Sequence, residues 1–298
     1  MKIFEQKSLK HASSLSLRSG VFANPGLLLL ALFVAVPMLW VAFYSIAYSL
    51  GGIGLFSKGW TLQHWNAALA DNSLIGAVSM SLTVAACVTL VAASISLATV
   101  LANPQLRHNP LLFAMLCLGM GTPSAVTALI VYQILSGGGL LARLCFHVGW
   151  IQSPTEFPQL VNDTWAIGIV VSLVIGSMPL LLLYFLQLWT TIKADRLCEL
   201  AESLGASRWQ ARTKVALPML LQQGKSMLLL VFLFTLGSYE TPLLLGRQSP
   251  QMISVLTQRR SGIYDLMKRP EAYVLATTYF VITVTTLVIY LRWKRRHV

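Results

Sequence analysis

The chain has 298 residues, with 22 Lys or Arg, 10 Asp or Glu and a net charge of +12. Only 11% of its residues are charged and 56% are hydrophobic, against about 25% charged in an ordinary soluble domain, and the mean hydropathy is +0.69. This balance excludes a soluble globular enzyme, a disordered chain and a collagen-like fibre, and leaves a polytopic membrane protein.

Six apolar runs are long enough to cross a bilayer as helices. They cover Pro25 to about Leu50, Leu74 to Ala102, Leu111 to Leu135, Trp165 to Trp189, roughly Met227 to Leu245, and Tyr273 to Trp293. Helices are expected because backbone polar groups in lipid must be paired within the segment, and the strict alternation of a membrane barrel is absent. The first run follows a basic start (Lys2, Lys7, Lys10, Arg18). It is longer than a secretory core, so it is expected to stay as an uncleaved span.

Lys and Arg counts set the orientation. With the amino terminus inside, the inner segments hold 15 of the 22 and the outer loops hold 7, which places both termini in the cytoplasm. The loop between the fifth and sixth spans dissents, with Arg247, Arg259, Arg260, Lys268 and Arg269. No aromatic-plus-basic stretch accompanies the charge, so no nucleic-acid partner is expected. Cys87, Cys117, Cys145 and Cys198 lack metal or redox spacing and read as packing residues. The His residues show no ligand spacing either, so no metal is expected.

Between spans four and five the chain turns polar. Asp195 is a good helix N-cap residue. Leu197, Leu200, Ala201 and Leu204 recur at the spacing of one helix face, which is expected to be the buried one. Gly205 follows as a helix stop. Ser207 and Gln210 stand at capping-box spacing, and Pro218 falls where the chain would enter span five. The pattern predicts helix, sharp turn, helix on the cytoplasmic side, a shape suited to docking in another protein's groove.

Glu199-Leu200-Ala201, Gly205-Ala206 and Leu217-Pro218 resemble the EAA loop of ABC-transporter permeases, with Gly six residues after Glu and Pro thirteen after Gly. Leu200 stands where that family usually has Ala. Ser177-Met178-Pro179 and the run Leu236 to Gly246 are similar to permeases of spermidine/putrescine-type importers, whose relatives serve ferric iron, thiamine and phosphonate. The similarity runs from about Leu74 to Leu291.

The resemblance implies an all-α, type I ABC importer permease with six transmembrane helices, in the bacterial inner membrane. A permease domain, 25–293, would carry a coupling loop at 194–218 between cytoplasmic tails 1–24 and 294–298. Its partners would be a cytoplasmic ABC ATPase dimer, a second permease subunit in a heterodimer, an extracytoplasmic substrate-binding protein and membrane lipid. Glu199 becomes the docking acid and Gly205 the turn glycine, with Ala201, Ala206 and Pro218 in the same motif. The implied cargo is a small solute such as a polyamine.

Gly224-Lys225-Ser226 mimics the end of a phosphate-binding loop, but Met219 stands where the first Gly is required, so no ATP site is expected. No nucleophile–base set appears, so the chain is not expected to be an enzyme and needs no cofactor. Glu240, beside Tyr239 between Gly237 and Pro242, has two readings. It faces a cavity in a broken span five and attracts a cation, or it sits at the outer interface paired with Arg247 or a basic residue of the next loop. Tyr132 and Gln133 line the pathway or anchor at the interface. Met120 to Ser124 reads as a kinked packing segment. The loop 247–271 reads as an interfacial helix with snorkelling Arg259 and Arg260, or as a landing surface for the binding protein. A secondary transporter would need ionisable residues in several spans, and Glu240 stands alone.

Overall fold

A computed structural model describes residues 25–54, 59–153, 156–263 and 268–296. The basic start with Lys2, Lys7, Lys10 and Arg18, the rest of the tail 1–24, Lys58, Leu266 and Met267, and the last two residues of the tail 294–298 lie outside them. The described residues are all helix, turn and loop, with no strand. Six helices are long and apolar enough to cross a membrane, and a shorter apolar helix, Pro110–Gly121, accompanies them. The chain divides into two compact units, 1–67 with 263–298, and 68–262.

In the first unit, α1 (25–49) packs on α12 (Arg269–Arg296). Tyr48 stacks on Tyr273 with centroids 4.1 Å apart, and Tyr44 meets the same ring edge-on at 5.9 Å. The Ser45 and Thr277 hydroxyls lie 3.3 Å apart. Elsewhere α1 is apolar and exposed all round, as a lipid-facing span is. A short helix, α2 (Gln63–Ala70), precedes the second unit's first span.

The second unit is built on α3 (Ser73–Ala102), α7 (Ile167–Thr191) and α9 (Arg208–Leu236), which pack pairwise. Its core runs from Val84, Val88 and Val100 to Ile169, Leu181, Phe185, Trp189 and Leu220. Ala85, Ala92, Ala93 and Ser96 keep the buried side of α3 small, which lets helices approach closely in lipid. Gly224 does the same on α9, where an added Cβ would lie 2.7 Å from the buried Phe185 ring. The phosphate-loop look-alike is therefore mid-helix packing.

The third apolar run is two helices, α4 (Pro110–Gly121) and α5 (Ser124–Leu135). It breaks at Thr122-Pro123 because Pro lacks the N–H and pushes its predecessor into extended backbone, ψ 126° at Thr122. The kink expected at Met120 to Ser124 is this break. Against α4, the bare Gly119 faces the Pro179 ring of α7, with 3.0 Å left for a Cβ. A short helix, α6 (Leu140–His147), follows. The candidate span here is Ser124–His147, α5 and α6 together, and not the expected Leu111 to Leu135, because the Thr122-Pro123 break leaves α4 as a separate short helix.

Span five differs from expectation. The helix begins at Arg208, well before Met227, and continues past Pro218, which stands in the first turn of its α-helical stretch Leu217–Leu236. A π-turn at Arg212–Ala216 immediately precedes that proline, with Leu217 N–H bonded to Arg212 O. The widened turn absorbs the clash and the missing bond that Pro brings to a regular helix. α9 then stops at Gly237, and the chain restarts as α10 (Glu240–Leu245). The predicted break is real at Gly237. Pro242 sits inside the first turn of α10, where its missing donor costs nothing.

Candidate functional site

The polar segment between α7 and α9 folds as a helical hairpin. Lys193 takes a left-handed conformation (φ 54°) and turns the chain into α8 (Ala194–Ser203). Lys193, not Asp195, is the N-cap, and it makes no side-chain capping bond. Asp195 lies in the first turn with its carboxylate drawn to tertiary partners. The Trp189 indole N–H donates to it at 3.0 Å, and Arg107 pairs with it at 3.0 Å. Burial opposes the charge, but these two bonds outweigh it and hold the Asp195 carboxyl below its usual range.

The buried face of α8 also departs from expectation. Of the expected face, Leu197 and Ala201 are half-buried, but Leu200 and Leu204 are 61% and 89% exposed. The fully buried positions are Ala194 and Cys198, so the inner stripe is centred on small residues, which let the helix lie close against its neighbours. Burial pushes the Cys198 thiol up from its usual pKa. Cys87 and Cys117, expected as packing residues, are exposed.

The helix ends in a Schellman turn. Ala206 N–H bonds Ala201 O at 3.0 Å and Gly205 N–H bonds Glu202 O at 3.0 Å. Gly205 has φ +94° and open space where a Cβ would point, so backbone conformation alone selects glycine. The capping box forms as predicted: Ser207 Oγ accepts from Gln210 N–H at 3.3 Å, and Gln210 Oε1 accepts from Ser207 N–H at 3.1 Å.

At the foot of the second arm, Arg212 donates to Leu101 O and Ala102 O at 2.9 and 3.0 Å. It satisfies the last carbonyls of α3 and places positive charge at a helix C-terminus. The hairpin is thus tied to α3, to α7 and to the turn holding Arg107. On its outer face, Glu199 is exposed with no ion pair or hydrogen bond among the described residues, beside Leu200, Leu204 and Trp209. The motif residues Glu199, Ala201, Gly205 and Ala206 share this one hairpin, while Pro218 lies further up α9.

At the other end of α9, the break at Gly237 brings Glu240 to the start of α5. Ser124 Oγ–H and Ala125 N–H (3.0 Å) donate to its carboxylate. Glu240 therefore caps the half-helix that follows the Thr122-Pro123 break, and Arg247 does not pair with it. Two cavities lie at this end. One of about 570 Å³ is lined by Tyr132, and the other, about 620 Å³, by Tyr239; Asn162 borders both. Gln133 is exposed and lines neither. In the loop beyond, α11 (Ile253–Ser261) buries Ile253 and Val255. Arg260 does not snorkel; it pairs with Asp71 and bonds Ser73 at 2.7 Å. The Ser73 hydroxyl, then Arg260, hold the Asp71 carboxyl below its ordinary value.

Residues 91–293 match the family described as binding-protein-dependent transport system inner membrane component. The chain belongs to this family. The match covers more than half of the chain and takes in the hairpin and both cavities. No curated protein matches the chain. Among solved structures it is similar to a bacterial ABC transporter involved in the import of the acidic polysaccharide alginate, at 16% identity, TM-score 0.69, over 97% of this chain and 99% of that one. That likeness is one of fold. The permease thus has the ABC type I architecture, all-α with six candidate spans. It is a multi-pass membrane subunit of a transport system, and the family is not one of enzymes.

Arg107 and Arg212, which with Asp195 anchor this permease's hairpin, carry no signal of that role in the sequence. Their partners are remote in the chain, and Arg107 and Arg212 read there only as inner-side positive charge. Asp195 was visible as an acid near a helix start, but a local cap and a tertiary clamp look alike from sequence.

Proposed function

We propose that this permease forms the translocation pathway of an ABC importer and that its hairpin, 194–218, is the handle gripped by a cytoplasmic ABC ATPase. The observation that carries this reading is an anchored hairpin with an unpartnered face. Glu199, Leu200, Leu204 and Trp209 stand exposed on a segment whose other side is held by Asp195 and Arg212. A lone surface helix has no need of such anchoring, whereas a handle must pass force on. Apolar side chains beside an acid suit a groove with a basic rim, and a desolvated charge pair there would be costly to break.

In this reading both termini are cytoplasmic and the membrane is the bacterial inner one. A second permease subunit completes the pathway, a heterodimer by resemblance, and an extracytoplasmic binding protein delivers the solute. Nucleotide-driven closure of the ATPases would move the hairpin together with α3, α7 and α9 as a body, the rigid-body mode of switching. The polyamine cargo rests on resemblance alone, because Glu240, the acid that would receive a cation, is engaged as the cap of α5.

The test is charge reversal in the reconstituted importer. Glu199→Lys and, separately, Leu204→Asp should abolish substrate-stimulated ATP hydrolysis while the subunit still inserts. A cysteine at position 204 should cross-link to the ATPase. Unimpaired uptake by both variants would refute the docking role.

A further inference from the structure

The larger cavity at the far end of α9 differs in charge from what a cation carrier needs. It lies among α10, the following loop and α11, with a volume of about 620 Å³, and is lined by Arg247, Arg259, Gln248, Gln251, Gln258 and Tyr239, among others. Among the described residues, no carboxylate lines it or the neighbouring cavity. Three described acids of this unit are engaged elsewhere. Glu240 caps α5, Asp71 pairs with Arg260, and Asp163 accepts the N–H groups of Trp165 and Ile167 at the start of α7. Arg247 and Arg259 have no ion pair among the described residues.

Two further atoms point to a guest. Among the described residues, Arg247 Nε is buried and makes no hydrogen bond, and Gln251 Oε1 is likewise buried and unpaired. A buried guanidinium N–H without an acceptor is expensive, and so is a buried acceptor without a donor. A bound group offering an oxyanion to the first and a hydroxyl to the second would relieve both.

We propose that this cavity is a solute subsite for a hydroxylated oxyanion, a sugar acid or a phosphorylated polyol. The assignment rests on the permease reading above and changes its cargo class from cation to anion. Arg247 and Arg259 bind the oxyanion, and the planar forks of two guanidinium groups suit carboxylate or phosphate. The glutamine amides bind hydroxyls. The volume falls within the usual range for small-molecule pockets, about 300–1,000 Å³.

The test uses the full chain in nanodiscs of zwitterionic phosphatidylcholine, titrated calorimetrically with D-glucuronate, inorganic phosphate or spermidine. Saturable binding of glucuronate or phosphate is expected, with whichever anion binds naming the oxyanion class, and none of spermidine. Arg247→Gln and Arg259→Gln should each weaken the anion roughly tenfold, the size of one charge-assisted bond. Arg259 is exposed, so its variant tests the site without disturbing a buried residue.

Failure of both anions to saturate, unchanged affinity in both variants, or saturation by spermidine alone would overturn the proposal. So would loss of glucuronate binding when anionic phosphatidylglycerol replaces the neutral lipid, because the site would then belong to a headgroup. No ATPase takes part, so a negative result leaves the docking role intact. A Glu199→Lys permease, uncoupled from its motor, should still bind the anion.

Discussion

Removing the Asp195 carboxylate tests how the hairpin is fastened. In Asp195→Ala the Trp189 indole N–H, on a residue only 1% exposed, loses its acceptor. Leaving a buried donor unpaired costs about 1–3 kcal/mol. The Arg107 pair adds less, because the Asp195 side chain is 45% exposed and solvent screens it; such pairs give about 0.2–1 kcal/mol. Together these come to about 2 kcal/mol, or roughly thirtyfold in the equilibrium between seated and detached α8. Asp195→Asn keeps an oxygen for the indole and loses only the charge, so its effect should be a few-fold. Amide hydrogen exchange over 194–204 in nanodiscs reads both, and alkylation of Cys198 gives a second measure because its thiol is buried when the helix is seated. Equal effects of Ala and Asn would transfer the clamp from Trp189 to Arg107, and no effect of either would refute it. The pH dependence has a definite sign. The Asp195 carboxyl is depressed in the folded state, so its contribution is full above its unfolded pKa, about 3.9. It is lost as pH falls through the lower folded value. Exchange should therefore rise in acid in the parent and not in Asp195→Asn.

Three further substitutions probe the elements around it. Gly205→Ala forces an L-residue to φ +94° with no steric clash, so it should loosen the Schellman turn and lower coupled ATPase activity; the backbone cost is about 1–2 kcal/mol, and Asn there should cost less. Gly224→Ala drives a Cβ into the Phe185 ring at 2.7 Å and should depress the thermal midpoint in detergent, by an overpacking cost of about 1–3 kcal/mol that Phe185→Leu partly offsets in the double variant. Glu240→Ala should speed exchange of the first-turn amides of α5, by about 1 kcal/mol in opening free energy, while Glu240→Gln stays closer to the parent because it still accepts hydrogen bonds. Arg247→Gln should leave those amides unchanged.

The spans were legible because each is a long apolar run, and lipid leaves helix as the simplest way to pair its backbone. The hairpin was legible because its punctuation is local: Gly205 sets one helix stop, and Ser207 with Gln210 sets the next start. The stripe of α8 was misread because hydrophobic periodicity reports burial only where burial is driven by hydrophobicity. Here Ala194 and Cys198 are buried, with Leu197 and Ala201 half-buried beside them, since the arm lies close to its neighbours, and Leu200 and Leu204 stay exposed. The clamps were illegible for a different reason. Arg212 reaches Leu101 and Ala102, and Arg260 reaches Asp71, across more than a hundred residues each. Nothing in the local pattern separates a carbonyl-capping arginine from one that simply marks the inner side.

Pro218 stands in the first turn of the α-helical stretch Leu217–Leu236, as its sequence position suggests, but the helix also runs back from there through a π-turn to Arg208. The same device appears at Pro37, where a π-turn at Ala31–Ala35 precedes the proline in α1. One wider turn before each proline accommodates the ring and keeps the helix continuous. α9 is consequently unbroken over 29 residues, about 43 Å at 1.5 Å per residue, from the hairpin's capping box to the stop at Gly237. Under the proposed docking role, a push at Glu199 would pass along this unbroken helix. The helical run first breaks at Gly237 to Tyr239, beside the Glu240 cap of α5 and the arginine-lined cavity. If Pro218 were a hinge, replacing it by Ala would stiffen the arm and change coupling. With the π-turn already accommodating it, Pro218→Ala should leave substrate-stimulated ATPase activity near the parent value, and a large change would place the hinge at the hairpin's foot instead.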